Sequence, residues 1–386
     1  MTFDFDTVVN RRNSNSMKWD LGAHLFGEQD ILPMWVADMD FSTAPCVIEA
    51  VQKQAESGIF GYTLRPEAYG EAVIGWLKRR HGWEVNPEWL TYSPGVLTAL
   101  DLIIQAFSQP GDGVIVQPPV YYPFFSCIEN NDRRIVYNPL KFTENQYLMD
   151  PENLRSIPAS AASIMILSSP HNPVGRVWRE EELRSVGEYC VNNNVILVSD
   201  EVHSDLVYSG HRHVPVASCS EEIARRTITC IAPSKTFNLA GLKTSVLVIP
   251  DPEIRKRYQD MLRNLSMESD NTFGMVALMA AYEKGDAWLN ALLSYLEANL
   301  DFTIQYLEEK IPKIRALRSE ATYLVWLDCR GLGLAGDELK NFIHEKAGLW
   351  LNDGPVFGPG GEGFQRMNIA CPRETLSQGL GRLETA

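Results

Sequence analysis

The sequence predicts an α/β fold, with a mainly parallel central sheet in a large domain joined to a smaller α+β domain. Three observations carry that expectation. Short Val-, Ile- and Leu-rich runs alternate with helical stretches between about residues 89 and 249, the pattern of a parallel sheet with crossover helices. Several of these runs end in polar residues, and open α/β sheets bind ligands at their strand ends. Past Asn264 the pattern changes to long helices followed by separated strand-like runs. The boundaries drawn from this are 1–50 for an N-terminal arm and part of the small domain, 51–285 for the large domain and 286–386 for the small C-terminal domain.

Residues 1 to about 30 mix charge and aromatics without a clear period and read as an extended arm with a short helix. Trp35-Val36-Ala37-Asp38-Met39-Asp40-Phe41 is apolar yet holds two carboxylates. Either it walls an active site, or Asp40, Ser42 or Thr43 caps a helix over about 45–57. Gly58 to Thr63 is a glycine-punctuated loop, and a helix follows over 67–81 with Ala72, Val73, Trp76 and Leu77 on its apolar positions. A short strand near 89–92 leads into Ser93-Pro94-Gly95-Val96 and a helix over 97–106. A glycine turn opening a helix offers free backbone N–H groups at the positive end of the dipole, a seat for phosphate.

A strand over 113–117 runs into Pro118-Pro119-Val120-Tyr121-Tyr122-Pro123, where prolines fix a turn that presents two tyrosines. A strand over 163–169 ends in Pro170-His171-Asn172-Pro173-Val174-Gly175, and a helix over 180–192 follows. The strand over 194–199 closes on Asp200-Glu201-Val202-His203. A carboxylate ending an apolar run is costly unless paired, so Asp200 needs a cation or a strong donor, unless it caps the next turn. The strand over 227–232 delivers Ser234-Lys235-Thr236-Phe237-Asn238-Leu239-Ala240-Gly241, with Lys235 in a turn just past the strand end. Partial desolvation there lowers a lysine pKa and makes the amine a nucleophile towards carbonyls. Another strand covers 245–249. Helices over 274–284 and 287–310, a strand over 321–328, a helix over 337–346 and a strand over 365–370 complete the chain, with a mobile or tightly turned loop from Gly354 to Gly363.

Composition excludes several classes. The 386 residues are 45% apolar and 22% charged, enough for a large core. A net charge of -14 argues against a nucleic-acid partner, which leaves a basic footprint. The seven cysteines are odd in number and none are spaced C-x-x-C, so neither a disulfide framework nor a zinc site is expected, and no metal is predicted. Residues 1–6 show no basic region followed by an apolar stretch, and no apolar run reaches membrane length; a cytoplasmic protein is expected.

Lys235 in its Ser-Lys-Thr-Phe-Asn-Leu-Ala-Gly motif, Asp200 in Ser-Asp-Glu-Val-His and Asn172 in His-Asn-Pro-Val-Gly follow one another, each at a predicted strand end. Their order and spacing resemble the fold-type-I, aminotransferase-like enzymes dependent on pyridoxal 5′-phosphate, over nearly the whole chain. Within them, residues 35–41 and 234–241 look like the MalY/PatB-type cystathionine β-lyase branch. The resemblance implies that Lys235 forms the cofactor Schiff base and that Asp200 pairs with the protonated pyridine nitrogen, which keeps the ring an electron sink. It implies that Asn172 donates to the phenolic oxygen and that His203 stands where many relatives carry a tyrosine. Tyr121 would stack on the ring. Gly95, Val96, Leu97 and Ser234 would hold the phosphate, with Lys243 where many relatives have an arginine. Tyr62 would reach the neighbouring subunit's phosphate, which implies a homodimer, and Arg366 would clamp the substrate α-carboxylate. The reaction implied is β-elimination from cystathionine or another S-substituted cysteine to thiol, pyruvate and ammonia. An aminotransferase is the alternative, since no single residue forces one outcome.

Overall fold

The computed structural model describes residues 3–26 and 30–386; the part of the expected arm at 27–29 lies outside the described residues. Its larger sheet has seven strands: β1 (Leu90–Ser93), β2 (Gly113–Val116), β3 (Arg134–Tyr137), β4 (Ile164–Ser168), β5 (Ile196–Asp200), β6 (Thr227–Ile231) and β7 (Ser245–Val248). The spatial order is β1-β7-β6-β5-β4-β2-β3, and only β7 runs antiparallel to its neighbours.

Central strands are buried along their whole length because both faces are covered. Successive side chains point to opposite faces, so alternate residues enter different cores. Val114, Val116, Ile164, Ile166 and Val198 pack with the helices Val96–Phe107, Pro123–Glu129 and Pro252–Asn264. Ile115, Met165, Leu167 and Leu197 pack with Glu180–Asn192 and Glu221–Arg226. The helix Pro252–Asn264 was not read from the sequence: nearly half of it is charged and it buries only Tyr258 and Leu262.

A smaller antiparallel sheet comprises β8 (Arg315–Ala316), β9 (Leu324–Asp328), β10 (Asn352–Asp353) and β11 (Phe364–Asn368), in the order β8-β9-β11-β10. Residues 354–363 are tightly turned, with Gly354 and Phe357 buried. The helix expected over 337–346 is α-helical only for Asp337–Asn341 and widens into a π-turn over Phe342–Lys346. The long helix Asp286–Lys310 buries Leu292, Leu296, Leu300 and Leu307. The N-terminal part joins this region through Leu32–Pro33, which pairs in parallel with Leu349–Trp350.

One sequence expectation is corrected. The helix Pro45–Glu56 starts after Ala44 with no side-chain cap, so Asp40, Ser42 and Thr43 do not cap it. Asp40 instead accepts from Lys18 Nζ at 2.7 Å, Arg11 at 2.7 Å and Trp19 Nε1 at 2.8 Å. Burial pushes the Asp40 carboxyl up, but Lys18, Trp19 and Arg11 outweigh burial and hold it below the usual range. A carboxylate this enclosed is spent on ion pairs, which repay more of its desolvation than a cap bond does.

Lys18→Met removes one of the two cations on Asp40 and leaves the carboxylate buried. We expect a stability loss of about 3 kcal/mol, read as a lower urea midpoint at unchanged slope. An unchanged midpoint would show that Arg11 and Trp19 suffice.

Candidate active site

The ends of β5 and β6 and the start of the helix Val96–Phe107 open into one cavity of about 150 Å³. Gly95, Val96, Leu97, Tyr121, Asp200, Ser234, Lys235 and Lys243 all line it. Eight of the sequence-predicted residues are thus gathered from segments up to 148 positions apart, from 95 to 243, while Asn172, His203 and Arg366 are buried outside its lining.

Lys235 lies on a one-turn helix, Pro233–Thr236, rather than in an irregular turn. Proline at the first helical position presets φ and has no N–H to leave unpaired. The Lys235 Nζ donates to the Ala37 carbonyl at 2.8 Å, and Tyr323 Oη donates to the same oxygen at 2.9 Å. Residues 35–41 therefore wall the site. Asn238 pins that wall, donating to the carbonyls of Met39 and Phe41 and accepting from the Met39 N–H. Asn368 donates to the carbonyls of Val36 and Asp38 at 2.6 Å each. Lys235 is half-buried and lines the cavity, and its amine is enclosed by protein. Burial first, then the positive charge of Arg366, lowers its pKa to about 8, against the opposing pull of Asp38 and Asp200.

Asp200 ends β5, buried, with no ion pair in the 4.0 Å range among the described residues. Its carboxylate accepts only a long bond, 3.3 Å, from the Val202 N–H, so the turn-capping role is present but weak. Burial raises its pKa to about 7, opposed by that bond and by Lys235. The expected cation or strong donor is thus not supplied by the chain's own described side chains.

Arg366, on β11, is buried and faces no carboxylate at ion-pair distance among the described residues. Its guanidinium donates to Asn172 Oδ1 at 2.9 Å, Asn352 Oδ1 at 2.5 Å and the Trp35 carbonyl at 3.0 Å, while Nε has no partner. The ring of Phe357 lies 4.9 Å away. Burial lowers the Arg366 pKa to about 10. A structural arginine in this strand would pair with a protein carboxylate; a guanidinium satisfied only by neutral oxygens, with an unused donor, is arranged for an anion from outside.

His203 is buried with an unpartnered Nδ1, and burial, Lys235 and Arg366 push its pKa down to about 3, so the ring is neutral. Burial raises the Tyr121 hydroxyl well above its ordinary value, so it keeps its proton. The helix Val96–Phe107 has no side-chain cap, leaving first-turn N–H groups available. Gly95 has φ +129°, and a Cβ built there meets nothing within 4 Å. Lys243 reaches the same mouth from a left-handed position, φ 47°. Tyr62 stands apart: it is fully exposed on the loop before the helix Glu67–His81 and lines none of this cavity.

This donor set fits pyridoxal phosphate. The uncapped helix start, the space over Gly95, the Ser234 hydroxyl and Lys243 suit a phosphate. The unpaired Asp200 suits a pyridinium, and the enclosed Lys235 amine suits an aldehyde. Sequence reasoning missed Tyr323, Asn352 and the carbonyls of Ala37 and Trp35. Tyr323 looked like a core residue of a strand. The 35–41 motif was the only available signal for the two carbonyls, and nothing in the sequence marked Asn352.

Fold and site together define a fold-type-I cofactor-dependent enzyme. Residues 29–383 match the family described as aminotransferase class I and II, and the chain belongs to it. It is 44% identical over 384 residues to cystathionine beta-lyase PatB of Bacillus subtilis (strain 168), covering 99% of each chain. Among solved structures it is similar to cystalysin from Treponema denticola, which contains a pyridoxal 5′-phosphate cofactor, with TM-score 0.96, 36% identity and coverage of 100% and 98%. It is also similar to the PLP-bound C-S lyase from Staphylococcus hominis, with TM-score 0.93, 32% identity and coverage of 100% and 98%.

In cofactor-free protein, reductive methylation of Lys235 followed by mass spectrometry should reach half its maximal rate near pH 8, because only the neutral amine reacts. A midpoint at the ordinary lysine value would contradict the enclosure described here.

Proposed function

We propose that the protein is a PLP-dependent carbon–sulfur β-lyase, cleaving cystathionine or related S-substituted cysteines to a thiol, pyruvate and ammonia. The observation that carries the proposal is the convergence of an enclosed lysine amine and an unpaired buried carboxylate on one cavity, with a buried arginine that lacks an anion near enough for its charge to lower the lysine's pKa. The choice of lyase follows the lyase relatives named above. When bound, the cofactor supplies an electron sink for the pair left on the substrate Cα.

The chain's own residues do the rest. Arg366 would hold the substrate α-carboxylate, and Asn172, which accepts from Arg366, fixes that guanidinium and would donate to the cofactor's phenolic oxygen. Lys235 would hold the cofactor aldehyde, and its amine, when free, would take the Cα proton, the lowered pKa of about 8 leaving a substantial neutral fraction near that pH. Asp200 keeps the pyridine nitrogen protonated. Its raised pKa describes the carboxylate without that partner, and a cation bonded to it lowers the pKa. Neutral His203 offers a hydrogen bond without adding charge. Tyr121, kept protonated by burial, and Lys235 are the two groups available to give a proton to the departing sulfur. Gly95, Val96, Leu97, Ser234 and Lys243 seat the phosphate.

The proposal includes the division at residues 50 and 285, a cytoplasmic setting and a homodimer in which Tyr62 reaches the partner's phosphate seat. The exposed Ile59, Phe60, Tyr62 and Leu64 support an interface there. Among the described residues no helix is long and apolar enough to cross a membrane.

Purified protein given cystathionine should release pyruvate and free thiol in equal amounts, and amino acid with 2-oxo acid should yield little new amino acid. The reverse outcome would make it an aminotransferase. Asp200→Ala saturated with cofactor should lose several powers of ten in kcat, at about 1.4 kcal/mol each; near-normal kcat would remove Asp200 from the chemistry. Arg366→Lys keeps the charge but loses the fork, and should lower kcat/KM for amino-acid substrates by roughly 10- to 1000-fold. An unchanged kcat/KM would place the carboxylate clamp elsewhere. Light scattering should give twice the 43.4 kDa chain mass, and a fully active monomer would exclude the role of Tyr62.

A further inference from the structure

Behind the cavity lies a buried polar cluster that the chemistry above leaves unused. Asp205 is buried on the segment after β5 and accepts three side-chain hydrogen bonds. His81 Nε2 lies 2.9 Å and Trp76 Nε1 3.0 Å away, both from the helix Glu67–His81. The third donor is Thr236 Oγ1, at 2.8 Å, from the residue directly after Lys235. A second pair adjoins the first. Glu201, next to Asp200, accepts from His213 Nε2 at 2.8 Å, Ser199 Oγ at 2.8 Å and the Val216 N–H at 3.2 Å. The rings of His81 and His213 meet edge to face with centroids 5.3 Å apart.

Burial pushes the Asp205 carboxyl up, but the hydrogen bond and charge of His81 and the bond from Thr236 outweigh it, so the group is held ionised. Stability alone is a weak reason to keep such a charge, because well-packed apolar replacements of buried ion pairs are often neutral or stabilising. Apolar packing is also non-directional. A carboxylate on one segment, bonded by donors from two others, accepts few arrangements of the three. Here they are the helix Glu67–His81, the segment after β5 and the turn that bears Lys235. Thr236 is fully buried, and its side chain points away from the cavity that Lys235 faces. The hydroxyl therefore ties the turn that bears Lys235 to Asp205 and does not line the cavity.

We propose that Asp205, acting through Thr236, is a positioning residue for Lys235, with His81 and Trp76 fixing the carboxylate that does so. The inference rests on the reading of Lys235 as the cofactor lysine. It adds that the enclosure of the amine is set from outside the cavity, by a side chain that touches neither substrate nor cofactor.

Thr236→Val keeps the shape and removes the donor; Thr236→Ser keeps the donor; Asp205→Asn removes the charge. In cofactor-free protein, the pH of half-maximal reductive methylation of Lys235 should rise above about 8 in Thr236→Val and Asp205→Asn, because a loosened amine regains water and desolvation is the main cause of its lowered value. The other groups facing the amine, Arg366, Asp38 and Asp200, are untouched by these changes. Thr236→Ser should titrate like the parent. In cofactor-loaded protein, Thr236→Val should lose roughly 10- to 100-fold in kcat, the scale of a small misplacement of a reacting group, with KM nearly unchanged and activity restored in Thr236→Ser. If Thr236→Val and Asp205→Asn lower the melting temperature yet keep the parent's lysine titration and kcat, the cluster is structural only and the inference is wrong. Borohydride reduction of the loaded parent separates the two failures: a label on another lysine overturns the assignment of Lys235 itself, whatever the variants do.

Discussion

The site depends on one electrostatic constraint: a guanidinium buried without a counter-ion. Arg366 is satisfied by three neutral oxygens, two from asparagine side chains and one from a backbone carbonyl. Neutral acceptors hold its orientation without cancelling its charge. The surplus charge then reaches its neighbours. It is the second cause, after burial, of the lowered Lys235 pKa, and it helps keep His203 neutral. A carboxylate ligand entering the cavity would cancel that charge. Cancelling it would remove one of the two causes that lower the Lys235 pKa, so an anion beside Arg366 would favour the protonated amine.

Holding that arrangement falls to the segment 35–41, which has no regular structure and so cannot satisfy its own backbone. Its carbonyls are bonded instead by Asn238 from the large sheet's side and Asn368 from the small sheet, while Arg366, Lys235 and Tyr323 bond the carbonyls that face the site. Asp38 and Asp40 tie its outer side to Arg11 and Lys18 of the N-terminal arm. Both sheets and the arm thus meet on seven residues.

The sheet was legible because its central strands are short apolar runs bounded by turn residues. The helices 67–81 and 180–192 matched the observed Glu67–His81 and Glu180–Asn192. Lys235, Asp200 and Asn172 were legible for a related reason: each is a polar residue just past an apolar run. What stayed hidden was chemistry carried by the backbone. The Ala37 carbonyl that meets Lys235 has no side-chain signature, and Asn352 is one polar residue in a short irregular stretch. The caps expected from Asp40, Ser42 and Thr43 failed because cap propensity is a local argument. The Asp40 carboxylate found stronger partners in Lys18 and Arg11, 22 and 29 positions away.

The reversed direction of β7 has a consequence for how the cavity is gauged. Because β7 returns antiparallel beside β6, the link between them, residues 232–244, stays at one end of the sheet and does not cross to the other. Lys235 and Lys243 both stand on that link, at the same mouth. The link therefore works as a caliper whose span is set by eight positions of chain, from 235 to 243. Its path is held by the Thr236 bond to Asp205, the buried Phe237 and the Asn238 bonds to the 35–41 segment. Inserting one residue within it would leave both lysines their charge, yet change the distance between them and so their fit to whatever the cavity holds.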